Sequence, residues 1–589
     1  MKKVTIRAAS IIMALALILA TAACGAPATP AATTAAATTA AAETTAAATT
    51  AAETTAAAAE TTAAAATTAQ AATTAAATTA SSAPILPAAT ESDGSGLPIV
   101  SEPLTLSMWC TLSKSAVSLS TFDDMLAYQE LQKRTGITIE FLHPPVGGET
   151  ENFNLMVASR ELPDLIEHSW RGVQGGPGAY IRDGVIIALN DYIDEYAPNL
   201  LQTYADIPVA RKESIMDDGT HYMFPCLYVS PELQHATGPV LRADWLAQIG
   251  AEEPVTIDEW HDLLLEVKNS SLDGNDDVIP FTMTSGQFND SHIFVGAWGI
   301  STRFTQNDGQ IVFGPLEPQF RDFVVTMADW YAKGLIDEEY AANTGKELDD
   351  KVMGNKAFAF MGSMGNEITR YTGTMRPTNP DFTLMAQYYP VLERGIAPII
   401  CNKSDTATGG GMAITTACKN VVEAVKLMDY NYSWDGMLLG NFGIEGVTYN
   451  LVDGEPVYTD LILKNPDGLD IASAISKHCY HSGNTALPKP NWVTNQRDSL
   501  PEQLEGRKRW METTNAIRQP PLLPTLEESN EYSSLMTTIN SYIDESLTNF
   551  IMGRTPLSEY ESFVNTLSGM GVSRAMEIRQ AQMDRYINR

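Results

Sequence analysis

The sequence predicts a mixed α/β body of two lobes behind a low-complexity N-terminus, on three observations. Roughly 490 residues follow the tract that ends near Gly96, more than one hydrophobic core accommodates. Apolar residues along them switch between a two-residue and a helical period. The first such run reads strand, helix, strand, which implies a parallel crossover.

Taken in order, Lys2, Lys3 and Arg7 precede an apolar run over 11–20 and the small residues that lead to Cys24, the order of a secretory signal. The run is too short to span a bilayer comfortably. Thr21-Ala22-Ala23-Cys24-Gly25 resembles a bacterial lipoprotein signal, in which Cys24 would be lipidated and become the new N-terminus; ordinary cleavage beside an incidental thiol is the alternative. Residues 1–24 are thus expected to be the signal. Residues 26–90 are almost only Ala and Thr, with Glu43, Glu53 and Glu60 and no aromatic. Burial there cannot offset ordering entropy, and the stiff Thr pairs oppose helix. Residues 25–96 are expected to form a flexible stalk that stands the 97–589 body off a membrane or wall.

In the body, Leu104, Leu106 and Met108 alternate as a strand requires, and Phe122, Met125 and Leu126 share a helical face that Thr135-Gly136 ends. Ile137, Ile139 and Phe141 resume the strand period. Thr256 and Glu259 make a capping box ahead of the stripe Trp260, Leu263, Leu264 and Val267. Phe323, Met327, Trp330 and Tyr331 form a second stripe that Gly334 stops. Ser558 with Glu561 predicts another capping box before Phe563, Val564 and Leu567.

Charge and motifs narrow the chemistry. With 71 acidic against 38 basic residues the formal charge is -33, which leaves no basic groove for nucleic acid. No GxSxG, HExxH or GxxxxGK is present, and Gly409-Gly410-Gly411 lacks the later glycine of a dinucleotide fingerprint. Beyond Cys24, the five cysteines at 110, 226, 401, 418 and 479 show no CxxC spacing; they allow at most two disulfides, or stay as buried thiols. His478-Cys479-Tyr480-His481 is a lone ligand-rich segment, open to zinc or to a plain surface turn. Asn269, Ser271, Asp273, Asn275 and Asp277 supply oxygen at alternate positions with Gly274 sixth, as in a calcium loop. The twelfth position is Pro280 instead of Glu, so the segment reads either as a calcium site centred on Asp273, Asn275 and Asp277 or as a bare turn. Apart from calcium, no cofactor is indicated.

Three phrases carry a resemblance: Ala158-Ser159-Arg160-Glu161-Leu162-Pro163-Asp164-Leu165-Ile166, Leu189-Asn190-Asp191-Tyr192 with Tyr196-Ala197-Pro198-Asn199, and Arg242-Ala243-Asp244-Trp245-Leu246. With Gly334-Leu335-Ile336-Asp337, Phe442-Gly443-Ile444-Glu445-Gly446-Val447-Thr448-Tyr449 and the closing Gln580-Ala581 to Arg585-Tyr586, they resemble family 1 extracellular solute-binding proteins of ABC importers. The similarity is to the lipoprotein subgroup linked to aldouronate, alginate and other oligosaccharide uptake. Arg160 stands where that subgroup usually has glycine, and the calcium loop of alginate-binding relatives is eroded. The resemblance implies a two-lobed, type II periplasmic-binding-protein-like fold with interleaved lobes. It also implies hinge crossings near 225–240 and 400–415 and a C-terminal helical segment. The implied partners are a carbohydrate and the membrane permease subunits, with the protein tethered outside the cell through its lipid.

A sugar cleft needs aromatic platforms flanked by hydrogen-bonding rims. Trp109 ends the first strand, Trp170 follows the apolar pair Leu165-Ile166, Tyr228 follows Phe224-Pro225, and Trp298 lies between Gly296 and Gly299. All four are candidate platforms, with core packing as the alternative for each. From the family phrase come Glu445, as an acceptor of hydroxyl bonds, and Tyr449, as a stacking ring. The overall charge favours a neutral glycan over a strongly acidic one, unless a local cation such as Arg303 offsets it. The function expected is capture and delivery of an unmodified oligosaccharide. A secreted carbohydrate-active enzyme, or a receptor or sensor for a peptide or other small solute, is the alternative.

Overall fold

Leu104, Leu106 and Met108 form the strand their alternation requires, β1 (Leu104–Trp109), with Leu106 and Met108 buried. The structure is a computed structural model, and it describes residues 96–112, 118–479, 491–498 and 500–589. Cys24 and the 25–95 tract lie outside the described residues, as do Tyr480 and His481. The first helix starts later than its stripe suggests: Phe122–Asp124 is one 3-10 turn capped by Thr121, and the α-helix runs Leu126–Thr135. Gly136 ends it at φ 75°, a left-handed position that glycine adopts without a Cβ clash. β2 (Ile137–Leu142) then pairs parallel with β1 from Leu104↔Ile137 onward, as the crossover demands.

β3 (Leu165–His168) pairs parallel with β1 on its other side. The Asp164 carboxylate before β3 accepts bonds of 2.8 Å from the Ser107 amide and hydroxyl, which fixes the register of the Leu162-Pro163-Asp164 turn. β4 (Phe224–Leu227) closes this first half at one edge. The chain then enters a second sheet with β5 (Thr237–Arg242) and β6 (Ile279–Thr282). A hairpin, β7 (Phe304–Asn307) and β8 (Gln310–Phe313), leads on to β9 (Ala357–Ser363) and β10 (Leu384–Ala386). After β10 the chain returns to the first sheet as β11 (Ala407–Ile414) and ends its strands in a hairpin of β12 (Tyr449–Val452) and β13 (Glu455–Tyr458).

The first sheet has order β2-β1-β3-β11-β4 and the second β10-β5-β9-β6. β11 runs antiparallel between β3 and β4. A Cβ at Gly411 would collide with the Phe224 carbonyl oxygen, so the glycine run serves close strand pairing. The sheets are joined by 228–236 and by 387–406. Each half has its own apolar core. Leu106, Phe122, Ile139 and Met412 are buried in the first; Trp245, Trp260, Phe281 and Trp330 in the second.

The helix Ile257–Lys268 carries the Thr256/Glu259 capping box and buries Trp260, Leu263, Leu264 and Val267. Helix Pro318–Ala332 buries Phe323, Met327 and Trp330, with Gly334 at φ 68° beyond it. The expected Ser558 cap does not form. Residues Leu557–Glu559 make a 3-10 turn and the helix Tyr560–Gly569 begins without a side-chain cap, because Pro556 sets the chain into that tighter turn first. Three C-terminal helices, Leu526–Ile551, Tyr560–Gly569 and Val572–Asn588, add Ile539, Phe563 and Val572 to the second core. All five described cysteines are free thiols, and four are buried. Among the described residues no helix is long and apolar enough to cross a membrane.

Candidate functional site

The C-terminal ends of parallel strands are where open α/β sheets place ligands. At the end of β1, Trp109 is 3% exposed and donates its indole N–H to Asn152 Oδ1 at 2.8 Å. It packs edge-on to His168, which stacks on Phe153 with centroids 3.9 Å apart. Trp170 is wholly buried in the same cluster. These rings back the strand ends and stiffen them. Tyr228 is partly exposed just past β4, its amide donating to the Thr406 carbonyl at 2.7 Å; the Cys226 thiol and burial push its hydroxyl up to about 12. Trp298 is half-buried and leans on Phe323 at 5.6 Å. Glu445 is exposed in a turn where the Gly446 amide donates to the Tyr449 carbonyl at 2.7 Å, and Tyr449 is 5% exposed against Phe442.

Two cavities lie beside the segments that join the halves, and Asn402 lines both. One, of about 510 Å³, opens on the second sheet between Thr237 and Ser363 and is rimmed by Gln287, Asp290 and Glu367. Beside Met361 and two glycines, its lining side chains are hydroxyl, amide and carboxylate, the inventory that answers a polyol. Local bonds hold these groups in place. Gln287 closes a capping box with Thr284, Asn402 donates to Thr237 Oγ1 at 2.9 Å, and Glu367 accepts from the Ser363 amide at 2.8 Å. The other cavity, of about 290 Å³, lies where Arg171 of the first half meets His292 and Phe304 of the second. Asp405 in the joining segment takes Arg171 on Oδ2 at 2.6 Å and Arg518 on Oδ1.

None of the aromatic or acidic side chains selected from sequence lines either cavity; Trp170 directly precedes the lining residue Arg171, and the Tyr228 amide is held by the residue that follows Asp405. Reading by residue type missed Arg171, Gln287, Asn402 and Arg518. The usable signal was position, since Asn402 falls inside the segment expected to cross between lobes.

The 269–280 segment lines a third cavity of about 540 Å³. Its residues do not fit a calcium ion. Asp273 Oδ2 accepts from Trp245 Nε1 at 2.8 Å and Asn355 Nδ2 at 3.2 Å and lies 3.4 Å from Arg242 Nη2. Burial alone would raise the Asp273 carboxyl, but those donors and the Arg242 charge hold it below its ordinary value. Arg242, wholly buried between the rings of Trp245 and Phe382, forms a fork with Asp244 and donates to Asn355 Oδ1 at 2.6 Å. Asn275 Oδ1 is taken by the Asp277 amide at 2.9 Å, and Asn269 bonds back to the Leu265 carbonyl. A guanidinium therefore supplies the positive charge on this loop. Among the described residues no group of three His, Cys, Asp or Glu side chains is placed to hold a metal.

A family model described as bacterial extracellular solute-binding protein matches residues 116–436. The fructooligosaccharide ABC transporter substrate-binding protein FusA of Streptococcus pneumoniae serotype 4 is 24% identical over 506 residues, 80% of this chain and 89% of that protein. Lipoprotein LipO of Bacillus subtilis strain 168 is 25% identical over 361 residues, 59% of this chain and 68% of its own length. Among solved structures, alginate-binding protein AlgQ2 without calcium ion superposes with a TM-score of 0.66 at 22% identity, over 82% of this chain and 99% of that one. FusA in complex with kestose gives 0.66 at 23% identity over the same shares. These structures share the fold. The family model spans more than half of the 589 residues, two sheets with separate cores flank the polar cavities, and the chain belongs to the bacterial extracellular solute-binding protein family.

Proposed function

We propose that this protein captures an oligosaccharide between its two halves and delivers it unmodified to the membrane subunits of an ABC importer. The observation that carries this reading is the pair of cavities that share Asn402 as a lining residue, in a segment that joins one sheet to the other. A solute held there touches both halves and the joint, so its binding energy favours the arrangement in which the halves close on it. The names of the relatives support a sugar: fructooligosaccharide for FusA, alginate for AlgQ2 and polygalacturonan/rhamnogalacturonan for the B. subtilis protein YtcQ. Trp109 and Trp170 act as a rigid backing, and Tyr228, Trp298, Glu445 and Tyr449 are proposed rim contacts for a long chain. Lipidation at Cys24, the stalk and hinge crossings within 225–240 and 400–415 complete the proposal, with no chemistry performed on the cargo.

Titration calorimetry against a panel of oligosaccharides, with product analysis of the same samples, tests it. One-to-one binding with intact sugar and a smaller scattering radius on binding is expected. Cleaved sugar, or binding of peptides and no glycan, would overturn it.

A further inference from the structure

The cavity of about 290 Å³ gathers four cationic side chains, Arg171, Lys403, Arg518 and Arg579, around one carboxylate, Asp405. In a chain with 71 acidic and 38 basic residues this is a local inversion of charge. Asp405 is already spent, one oxygen on Arg171 and the other on Arg518. Glu213, a carboxylate that also feels those two arginines, lies outside the lining with one oxygen on the Ala407 amide at 2.9 Å, so two positive charges stay in excess even when it is counted. Arg579, from the C-terminal helix Val572–Asn588, has no carboxylate. Its Nε donates to Gln519 Oε1 at 3.0 Å, its Nη1 to Gln582 Oε1 at 2.8 Å and the Leu522 carbonyl at 3.4 Å, and its Nη2 has no partner among the described residues. The Lys403 ammonium has neither a hydrogen bond nor an ion pair among the described residues. Two buried ring or guanidinium nitrogens at the cavity, His292 Nδ1 and Arg171 Nε, are likewise without partners. Arg303, the cation singled out from sequence, is elsewhere engaged by Asp544 at 2.6 Å and Asp290 at 3.5 Å.

The rest of the lining suits a small ion. Phe304, Ile400, Pro520 and Leu522 are apolar, and Gln519 is already engaged, taking Arg579 on Oε1 and donating Nε2 to the Phe304 carbonyl at 3.4 Å. Cations withdrawn from water without counter-charge are costly, and low-dielectric walls raise both that cost and the attraction of an anion that removes it. A tetrahedral oxyanion answers several donors at once through charge-assisted bonds, and two charges on it match the local excess. We infer that the cavity between Arg171, Lys403, Arg518 and Arg579 is a site for a free inorganic dianion, phosphate or sulfate, bound as an ion in its own right and not as part of the cargo. Seated there, the ion links Arg171 of the first half to Arg579 of the C-terminal helix and adds to the join between the halves. The inference goes beyond the capture reading and does not rest on it, because the larger cavity with its polar lining stays available to cargo.

The test is calorimetry on the processed full-length protein, at fixed low ionic strength, with sodium phosphate, sulfate, acetate and chloride, with glucose 1-phosphate, and with neutral oligosaccharides. Phosphate or sulfate is expected to bind one-to-one and about 10-fold or more tighter than acetate or chloride, and to raise the melting temperature. Lys403→Gln and Arg579→Gln should each weaken that binding about 10-fold or more. Lys464→Gln, which removes a charge from the exposed Asp460 pair, should leave it unchanged. Arg579 holds three hydrogen bonds, so Lys403→Gln, whose native ammonium holds none, keeps the test informative should the arginine variant fail to fold. Phosphate and sulfate bound no tighter than acetate or chloride, or weakened as much by Lys464→Gln as by Lys403→Gln, would overturn the inference. Glucose 1-phosphate bound as tightly as free phosphate would overturn it in favour of an anionic group carried on the cargo. Dianion binding without any glycan binding would uphold the site while the capture reading fails, and glycan binding without dianion binding would do the reverse.

Discussion

Glu167 stands on β3, paired through its backbone with Met412, and its carboxyl has no hydrogen-bond or ion-pair partner among the described residues. Burial pushes it up to about 7, and its charge in turn helps to raise the Cys110 thiol. An acid whose folded value lies above its unfolded one adds stability that is complete below the unfolded value and is lost as pH rises through the folded one. The side chain keeps partial exposure, which discounts the effect to about 2 kcal/mol. Urea unfolding of the wild type should therefore show that loss between about pH 4.5 and 8, and Glu167→Gln should abolish it. An unchanged pH profile in the variant would exclude Glu167 as the titrating group. The same desolvation distinguishes the tryptophans. Trp170 is sealed in the core, so its ring serves packing, whereas Trp298 keeps an exposed edge.

Among elements, the caps were written locally and formed locally: Thr256 with Glu259 and Thr525 with Glu528 each satisfy two end groups of a helix. The Ser558 signal failed because a 3-10 turn after Pro556 placed that serine before the helix start. The 269–280 loop shows a spacing whose meaning depends on a distant residue. Its alternate oxygens resemble a calcium loop, yet Arg242, 31 positions from Asp273 in sequence, reaches the central carboxylate. Calcium at about 1 mM is thus expected to move the melting temperature of chelator-treated protein by less than about 1 °C. Arg242→Met should cost about 3 kcal/mol, since it strips a buried partner from Asp244. A calcium-dependent rise in melting temperature would show that the loop binds the ion despite the arginine.

Across the molecule, the last helix ties the halves together beside the smaller cavity, which its Arg579 lines. It packs in the second core, while Arg585 reaches Asp217 of the first half at 2.6 Å and Glu528 at 2.6 Å, and Lys212 sits 4.4 Å over the Tyr586 ring. Arg589 closes the same contact on the Ile215 carbonyl. Asp217→Ala is expected to speed amide exchange about 10-fold or more in 208–221 and in the final turns of that helix, a loss of about 1 to 2 kcal/mol of local stability. Exchange in the Ile257–Lys268 helix should stay unchanged. A uniform rise throughout would mean that Asp217 supports global folding instead of the join.

The alternation of Leu104, Leu106 and Met108, the stop at Gly136 and the Trp260 stripe were legible because each is a property of neighbours along the chain, whose period local sterics dictate. Family membership was legible for the same reason, through short phrases such as Leu162-Pro163-Asp164 whose roles are local turns. The candidate cavities were not. Arg171, Arg518 and Arg579 line one cavity and Gln287 the other, with Asn402 in both, and these five separate segments come side by side only when two sheets and a C-terminal helix converge on one joint. Overall composition is strongly acidic, but electrostatics acts over distances of about a Debye length. Only tertiary packing decides which few cations share that distance, and here it set four of them around a single spent carboxylate.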